Sequence, residues 1–274
     1  MPELPEVESL ARMLRDGGPE GAPPLVGRRI VGVRLAWPGQ VDRPTPRLFR
    51  ARLRGRTVRA VGRRAKYLVV GLDRGTLLLH LRMSGDLRLA RTGSPPDRFT
   101  RSVLRLDTGW ELRFTDARKF GRLFLVDDPA EVLGGLGPEP LDEAFSAAAL
   151  RRRLRGTRRM LKPLLLDQRF VAGVGNIYAD EALHRAGLHP ARRSDSLTAS
   201  EARALWRGLR AALRQGLRHN GASIDWVYRG GDYQNHFRVY QRAGAPCGVC
   251  RTPVVRIVLA QRGTHFCPAC QPES

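Results

Sequence analysis

A chain of 274 residues can bury a substantial core, as one large domain or two modest ones. Its net charge of +22 and isoelectric point near 11.4 point to a polyanionic partner, nucleic acid above all. No apolar run is long enough to span a bilayer, acids stand where a secretion signal needs bases, and no long basic amphipathic helix carries an aromatic face, so a membrane role is excluded and a soluble cytoplasmic protein expected.

The first element is a helix. Val7, Leu10, Ala11 and Leu14 keep the i, i+3, i+4, i+7 spacing, and Pro5, Glu6 and Glu8 suit a helix start. The residues before it allow chemistry. If Met1 is trimmed, Pro2 becomes a ring-held secondary amine, which titrates near neutrality like other α-amino groups (roughly 7.7–8.0) and can attack a sugar aldehyde carbon to form an iminium. Glu3 stands next to it as a proton donor or acceptor. The same residues also describe an ordinary helix start.

A Gly/Pro-rich connector, Gly17 to Gly27, leads into short β-rich runs: Ile30–Leu35, Val58–Val61, Tyr67–Leu72, Thr76–Leu81, Leu87–Leu89, Val103–Leu106, Trp110–Phe114 and Arg122–Val126. Asp73-Arg74-Gly75 and Asp107-Thr108-Gly109 are turn signals between them. Short strands with tight turns predict an antiparallel sandwich or barrel. The fold class is therefore α+β, with residues 1–132 an N-terminal antiparallel β-sandwich carrying a helix and 133–141 a linker. Residues 142–238 read as a helical domain, with segments at Asp142–Leu154, Leu161–Asp167, Ile177–Ala186 and Ser200–His219, the last capped by Thr198 or Ser200.

The composition singles out three positions. Of 48 basic residues only Lys66, Lys119 and Lys162 are lysines, the other forty-five being arginines. Where arginine is so widely accepted, a retained lysine marks a site that needs an ammonium able to release its proton.

The final segment, 239–274, contains every cysteine. Cys247-x-x-Cys250, sixteen residues, then Cys267-x-x-Cys270 is the spacing of a four-thiolate tetrahedral zinc site. Disulfides are the competing reading and need an oxidising compartment. His265 is a further potential ligand, but four thiolates leave it no place. Val254–Leu259 and Thr264–Cys267 read as two strands, with Ala260-Gln261-Arg262-Gly263 at a metal-braced tip that holds out Arg262 as a phosphate clamp.

In order, Pro2-Glu3-Leu4-Pro5-Glu6-Val7-Glu8, Arg64-Ala65-Lys66-Tyr67-Leu68, His80-Leu81-Arg82-Met83-Ser84-Gly85, Thr115-Asp116-Ala117-Arg118-Lys119-Phe120-Gly121, Gly173-Val174-Gly175-Asn176-Ile177-Tyr178-Ala179-Asp180-Glu181 and the zinc ribbon closely resemble the bacterial formamidopyrimidine-DNA glycosylase family, from Pro2 to Cys270. Leu4 and Val7 match the purine branch, since the sister branch for oxidised pyrimidines has Gly in place of that Leu. The resemblance implies that 142–238 is a helix–two-turn–helix DNA-binding domain. It implies a bifunctional glycosylase and abasic-site lyase acting by β,δ-elimination on double-stranded DNA with a damaged base, as a monomer with one structural Zn2+ and no organic cofactor, in the cytoplasm at the nucleoid. By the same resemblance Pro2 attacks C1′, Glu3 manages protons, and Lys66 assists elimination. A surface lysine at a strand end is the plainer reading of Lys66. Arg262 is the family's proton donor for the second elimination, although a guanidinium that stays charged suits a phosphate clamp better. Met83, Arg118 and Phe120 match the wedge that fills the stack when a base is flipped out. Core packing is the alternative for Met83 and Phe120. His80, Lys162 and Asn176 match DNA-backbone contacts, with Arg158 and Arg159 adding to the grip, Asn176 read as a helix N-cap, and a buried strand histidine the plainer reading of His80.

The chain departs from the pattern in places. Position 82 is Arg where the family has a smaller residue, often Gly. Arg98-Phe99-Thr100-Arg101 lacks the family's histidine. The lesion-capping loop within Asn220–Phe237 is too divergent to assign. An oxidised-pyrimidine glycosylase and a non-catalytic zinc-dependent protein that binds damaged DNA are the alternative functions.

Overall fold

The computed structural model describes residues 1–223 and 230–273. The chain divides into two compact units, Met1–Gly135 and Leu136–Ala222 continued from Gly231 onward.

The first unit opens with α1 (Leu4–Asp16), whose buried face is the predicted stripe of Val7, Leu10, Ala11 and Leu14. Burying each such aliphatic side chain contributes about 1.5–3 kcal/mol. Nine strands follow: β1 (Ile30–Leu35), β2 (Val41–Arg43), β3 (Val58–Arg64), β4 (Tyr67–Leu72), β5 (Thr76–His80), β6 (Gly85–Arg91), β7 (Thr100–Leu106), β8 (Trp110–Asp116) and β9 (Arg122–Val126). Two helices also belong here, α2 (Pro46–Leu53) and α3 (Ala130–Leu133). The strands form two sheets, ordered β1-β7-β8-β6 and β2-β9-β5-β4-β3. Inward-facing Leu77, Leu79, Leu87, Leu104, Leu112 and Leu123 fill one core with the α1 stripe. Leu78 points to the other face of β5, with Phe124 and Val126, under Val132 and Leu133. That double coverage explains why β5 reads as an unbroken apolar run instead of an alternating one.

The predicted strands are present, several of them longer. Three elements have no counterpart in the sequence reading: β2, α2 and the one-turn helix α3. β2 joins β9 in parallel, an exception to the antiparallel expectation, with Val41 opposite Leu123. α2 starts at Pro46 behind its N-cap Thr45, in Pro-rich text whose helical period is too short to stand out.

The second unit contains α4 (Ala147–Arg155), α5 (Leu161–Leu166), α6 (Asn176–Ala186), α7 (Ala199–Arg218) and the hairpin β10 (Val255–Leu259) and β11 (Arg262–Phe266). α4 starts five residues later than predicted. The carbonyls upstream of it are engaged elsewhere: Trp206 Nε1 donates to Phe145 O at 2.6 Å, and Arg210 Nη1 to Pro140 O and Asp142 O at 2.7 and 3.0 Å. Ser146 then caps the helix. α7 carries a Thr198/Glu201 capping box. It crosses α6 at Gly208, where an added Cβ would lie 2.5 Å from Ala182 O. Among the described residues no helix is long and apolar enough to cross a membrane.

Because Gly208 is interior to α7, Gly208→Ala would stabilise an isolated helix by roughly 0.5–1 kcal/mol. At this crossing overpacking costs about 1–3 kcal/mol. We therefore expect net destabilisation, read as a lower urea midpoint. A raised midpoint would show that the helices do not approach so closely.

Candidate nucleic-acid interface and zinc centre

Pro2 and Glu3 are buried, immediately before and at the N-cap of α1. Glu3 and Glu6 form a reciprocal capping box, in which Glu6 Oε2 accepts the Glu3 N–H at 2.7 Å. This ties the chain start to the helix. α1 packs on β3 and β4. Arg63 links the elements, donating to Glu8 Oε2 at 3.2 Å and to Ala65 O at 3.0 Å. The turn it braces carries Lys66, which is 5% exposed and thus not a surface lysine at a strand end. An ammonium that deep, in a turn tied to the helix that begins at Pro2, is held in place rather than solvated.

His80 is also buried. Its Nδ1 accepts from Arg82 N at 3.1 Å, so Nε2 carries the proton, and its ring meets Tyr67 edge-on. Burial first, then the charges of Arg82 and Lys66, push its pKa down to about 3. The plainer reading, a buried strand histidine, describes its place in the fold.

Asp116 organises the candidate wedge. Fully buried, its carboxylate accepts the hydroxyl of Ser84, the Arg118 N–H at 3.2 Å and the Gly121 N–H at 2.7 Å. One carboxylate thus joins the Met83 turn to the Arg118–Phe120 turn. Phe120 is 45% exposed and lies under the Arg118 guanidinium, 4.8 Å from ring centroid to Cζ. Core packing is overturned for Phe120, while Met83 is half-buried. A Cβ at Gly121 would sit 2.6 Å from Phe114 and 3.0 Å from Asp116 Oδ2, so only glycine fits there.

Three non-glycine residues beside these sites are left-handed: Ala65 (φ 53°) before Lys66, Arg82 (φ 54°) before Met83, and Lys119 (φ 60°) before Phe120. Position 82 therefore has the conformation that favours the family's glycine, and Arg there carries a strain of roughly 1–2 kcal/mol. Such turns cluster at functional sites.

In the second unit Lys162 is fully buried, its Nζ 2.7 Å from Asp180 Oδ1 and donating to Gly263 O at 2.7 Å. It is not a phosphate contact: its charge is spent on tying α5 and α6 to the hairpin. Asn176 Nδ2 donates to the same Gly263 O at 3.0 Å, and the N-cap is Gly175, which corrects the reading of Asn176 as the cap. Asp180 Oδ2 accepts from His265 N at 2.9 Å and lies 3.3 Å from His265 Nδ1. That interaction, rather than metal ligation, occupies His265. The hairpin turn is shorter than predicted. Ala260 and Gln261 make it, both left-handed (φ 47° and 61°), and exposed Arg262 is the first residue of β11, opposite Leu259. Arg158 is 82% exposed, 3.6 Å from Asp195, and Arg159 pairs with Asp167 at 2.7 Å.

Sequence reasoning missed Asp116, Asp180 and the Gly263 carbonyl. Asp180 alone left a signal, an acid among apolar residues on the helical period of α6. The lesion-capping stretch falls partly on residues 224–229, outside the described residues.

All four cysteines are free of disulfides, which removes the competing reading, and their sulfurs lie within 4.8 Å of one another. Individual separations are 3.3 Å (Cys250–Cys267), 3.4 Å (Cys250–Cys270) and 3.9 Å (Cys247–Cys270). Tetrahedral Zn–S bonds of about 2.3 Å put sulfurs roughly 3.8 Å apart, so the donor set fits. His184 Nε2 approaches Cys247 Sγ at 3.3 Å, as an outer-shell donor to a thiolate does. The four cysteines hold one structural zinc.

Residues 1–123 match the formamidopyrimidine-DNA glycosylase N-terminal domain, 136–227 the H2TH domain of the same glycosylases, and 244–272 the zinc finger found in FPG and IleRS. A formamidopyrimidine-DNA glycosylase of Roseiflexus sp. is 48% identical, over 99% of this chain and all of its own length. One from Chloroflexus aggregans is 46% identical, over 99% and 98%. A Lactococcus lactis Fpg complexed with Fapy-dG-containing DNA superposes with a TM-score of 0.91 at 33% identity, covering 99% of this chain and 100% of that one. MutM in complex with carbocyclic 8-oxo-G-containing DNA gives the same values.

Two outcomes test this geometry. Lys162→Met leaves Asp180 buried without its counter-charge and should cost about 3–5 kcal/mol. Lys162→Met/Asp180→Asn, which keeps an acceptor for His265 N, should regain much of it; a single-variant loss under about 1 kcal/mol in urea unfolding would refute the buried pair. The His80 pKa is lowered on folding, so its contribution is complete above pH 6.5 and is lost as pH falls towards 3. Between pH 7 and pH 4 the parent should lose about 3 kcal/mol more than His80→Asn. Equal losses would mean that the imidazole is solvated.

Proposed function

The chain belongs to the formamidopyrimidine-DNA glycosylase family, and from that premise we propose how its own residues perform the family's reaction. The protein is a base-excision repair enzyme, a DNA glycosylase and abasic-site lyase directed at oxidised purines such as 8-oxoguanine and formamidopyrimidines.

With Met1 removed, the Pro2 nitrogen attacks C1′ of the damaged nucleotide. The glycosidic bond breaks, the base departs with a proton passed by Glu3, and the amine loses its own proton; the C1′–O4′ bond then opens, O4′ taking a proton, to leave an iminium. The iminium acidifies C2′, so β-elimination breaks the 3′ C–O bond. δ-Elimination then breaks the 5′ C–O bond. Lys66 assists both by moving protons at the sugar, a role that arginine could not fill at neutral pH. Met83 and Phe120 occupy the space vacated by the flipped base, and Arg118 hydrogen-bonds the orphaned partner base. Arg262 clamps a phosphate flanking the lesion, and exposed Arg158 adds a further phosphate contact. Asn176 and Lys162 act by fixing the hairpin that presents Arg262. Zinc supplies rigidity to that hairpin. The enzyme acts as a monomer in the bacterial cytoplasm, at the nucleoid.

The observation that best supports these assignments is the buried Pro2-Glu3 start on α1, braced through Arg63 to the turn that buries Lys66. A plain DNA-binding protein has no use for a buried ammonium there.

Borohydride reduction during turnover of 8-oxoguanine duplex should trap a covalent protein–DNA adduct. One extra residue ahead of Pro2 should abolish it while leaving DNA binding within a few fold. No adduct with a free Pro2 amine would favour a non-catalytic damaged-DNA-binding protein. Faster excision of thymine glycol would favour the oxidised-pyrimidine branch.

A further inference from the structure

Outside the cysteine centre, the described residues hold one other convergent set of metal-binding donors, His219, Asp232 and His236. His219 is the C-cap of α7. Asp232 precedes, and His236 ends, a short 3-10 turn over Tyr233–His236. The geometry points to a second metal site, for a divalent transition ion of the zinc class, held by these two imidazoles and one carboxylate with water completing the shell.

Three observations carry this. First, the donors converge: one ligand atom from each lies within 4.8 Å of the others, with His219 Nδ1 2.7 Å and His236 Nε2 3.8 Å from Asp232 Oδ1. A tetrahedral ion with bonds of about 2.0–2.1 Å sets its donors roughly 3.3 Å apart, so these two His–Asp distances change by about half an ångström each. Second, the scaffold is rigid. Asp232 N donates to His219 O at 3.0 Å, and Tyr233 N to Gly221 O at 2.9 Å. Tyr233 is fully buried and stacks on Tyr178 with centroids 5.4 Å apart and planes 1° off parallel. The donor-bearing turn is therefore anchored in the core, while the three donors themselves reach solvent. Third, the imidazoles pack against each other, ring centroids 3.8 Å apart. An exposed His–Asp ion pair is worth little and has no need of a second imidazole, which would repel the first if both were protonated. One shared cation accounts for both rings and the carboxylate between them. Imidazole with carboxylate selects zinc-class ions over Mg2+ or Ca2+.

The test uses the full chain with its cysteine-bound zinc in place, titrated with Co2+. We expect one saturable further equivalent, with weak visible d–d bands and no thiolate-to-cobalt charge transfer. His219→Ala and His236→Ala should each lose this equivalent and keep the cysteine-bound zinc; Asp232→Asn should bind it more weakly. If His219→Ala releases the cysteine-bound zinc and so misfolds, exposed His236→Ala decides alone. The absence of a saturable equivalent, its persistence in His236→Ala, or thiolate charge-transfer bands would overturn the site.

Discussion

The ion pair between Lys162 and Asp180 is the constraint on which the helical unit depends. Taking an ammonium and a carboxylate out of water costs several kcal/mol each, and their attraction offsets this only if every remaining donor and acceptor is used. Here Lys162 also donates to Gly263 O, and Asp180 also accepts from His265. Satisfying the two charges thus requires α5, α6 and β11 to occupy one arrangement. Position follows from charge. The exposed Arg262 stands one residue before the carbonyl that Lys162 and Asn176 share.

Zinc and the ion pair act on opposite ends of the same hairpin. The thiolates join the strand ends, while the buried network grips the tip next to Arg262. A two-residue turn with both residues left-handed ordinarily takes Asn-Gly; this chain has Ala260-Gln261. Bracing at both ends keeps that less favourable turn in place. The sandwich unit repeats the pattern, with strained turns at Ala65, Arg82 and Lys119 held by Arg63, His80 and Asp116. In both units a polar side chain holds a turn beside a residue that we propose meets the substrate.

The charge of +22 contributes differently. Spread over forty-five arginines, it draws the enzyme to any phosphate backbone without choosing a lesion. In our reading, discrimination belongs to a few other groups: the amine at Pro2, the turn at Lys66, and the Met83 and Phe120 side chains. Two of the three lysines proved to be buried, one for proton chemistry in our reading and the other for architecture. Retention of lysine in an arginine-rich chain thus marks a site without saying which kind.

Much was legible from the residues alone. Periodicity gave α1 and α7, alternation and turn signals gave most strands, and cysteine spacing gave the zinc, because each is a local pattern with one physical solution. The motifs, in their order, identified the family. What could not be read depended on contacts distant in sequence. Helix α4 begins at Ala147 because α7 side chains take the carbonyls before it. His80, Lys162 and Asn176 have the same residue types whether they touch DNA or the protein interior. Only burial and partners tell the two apart, since a donor's role is set by which acceptor the fold brings within about 3 Å.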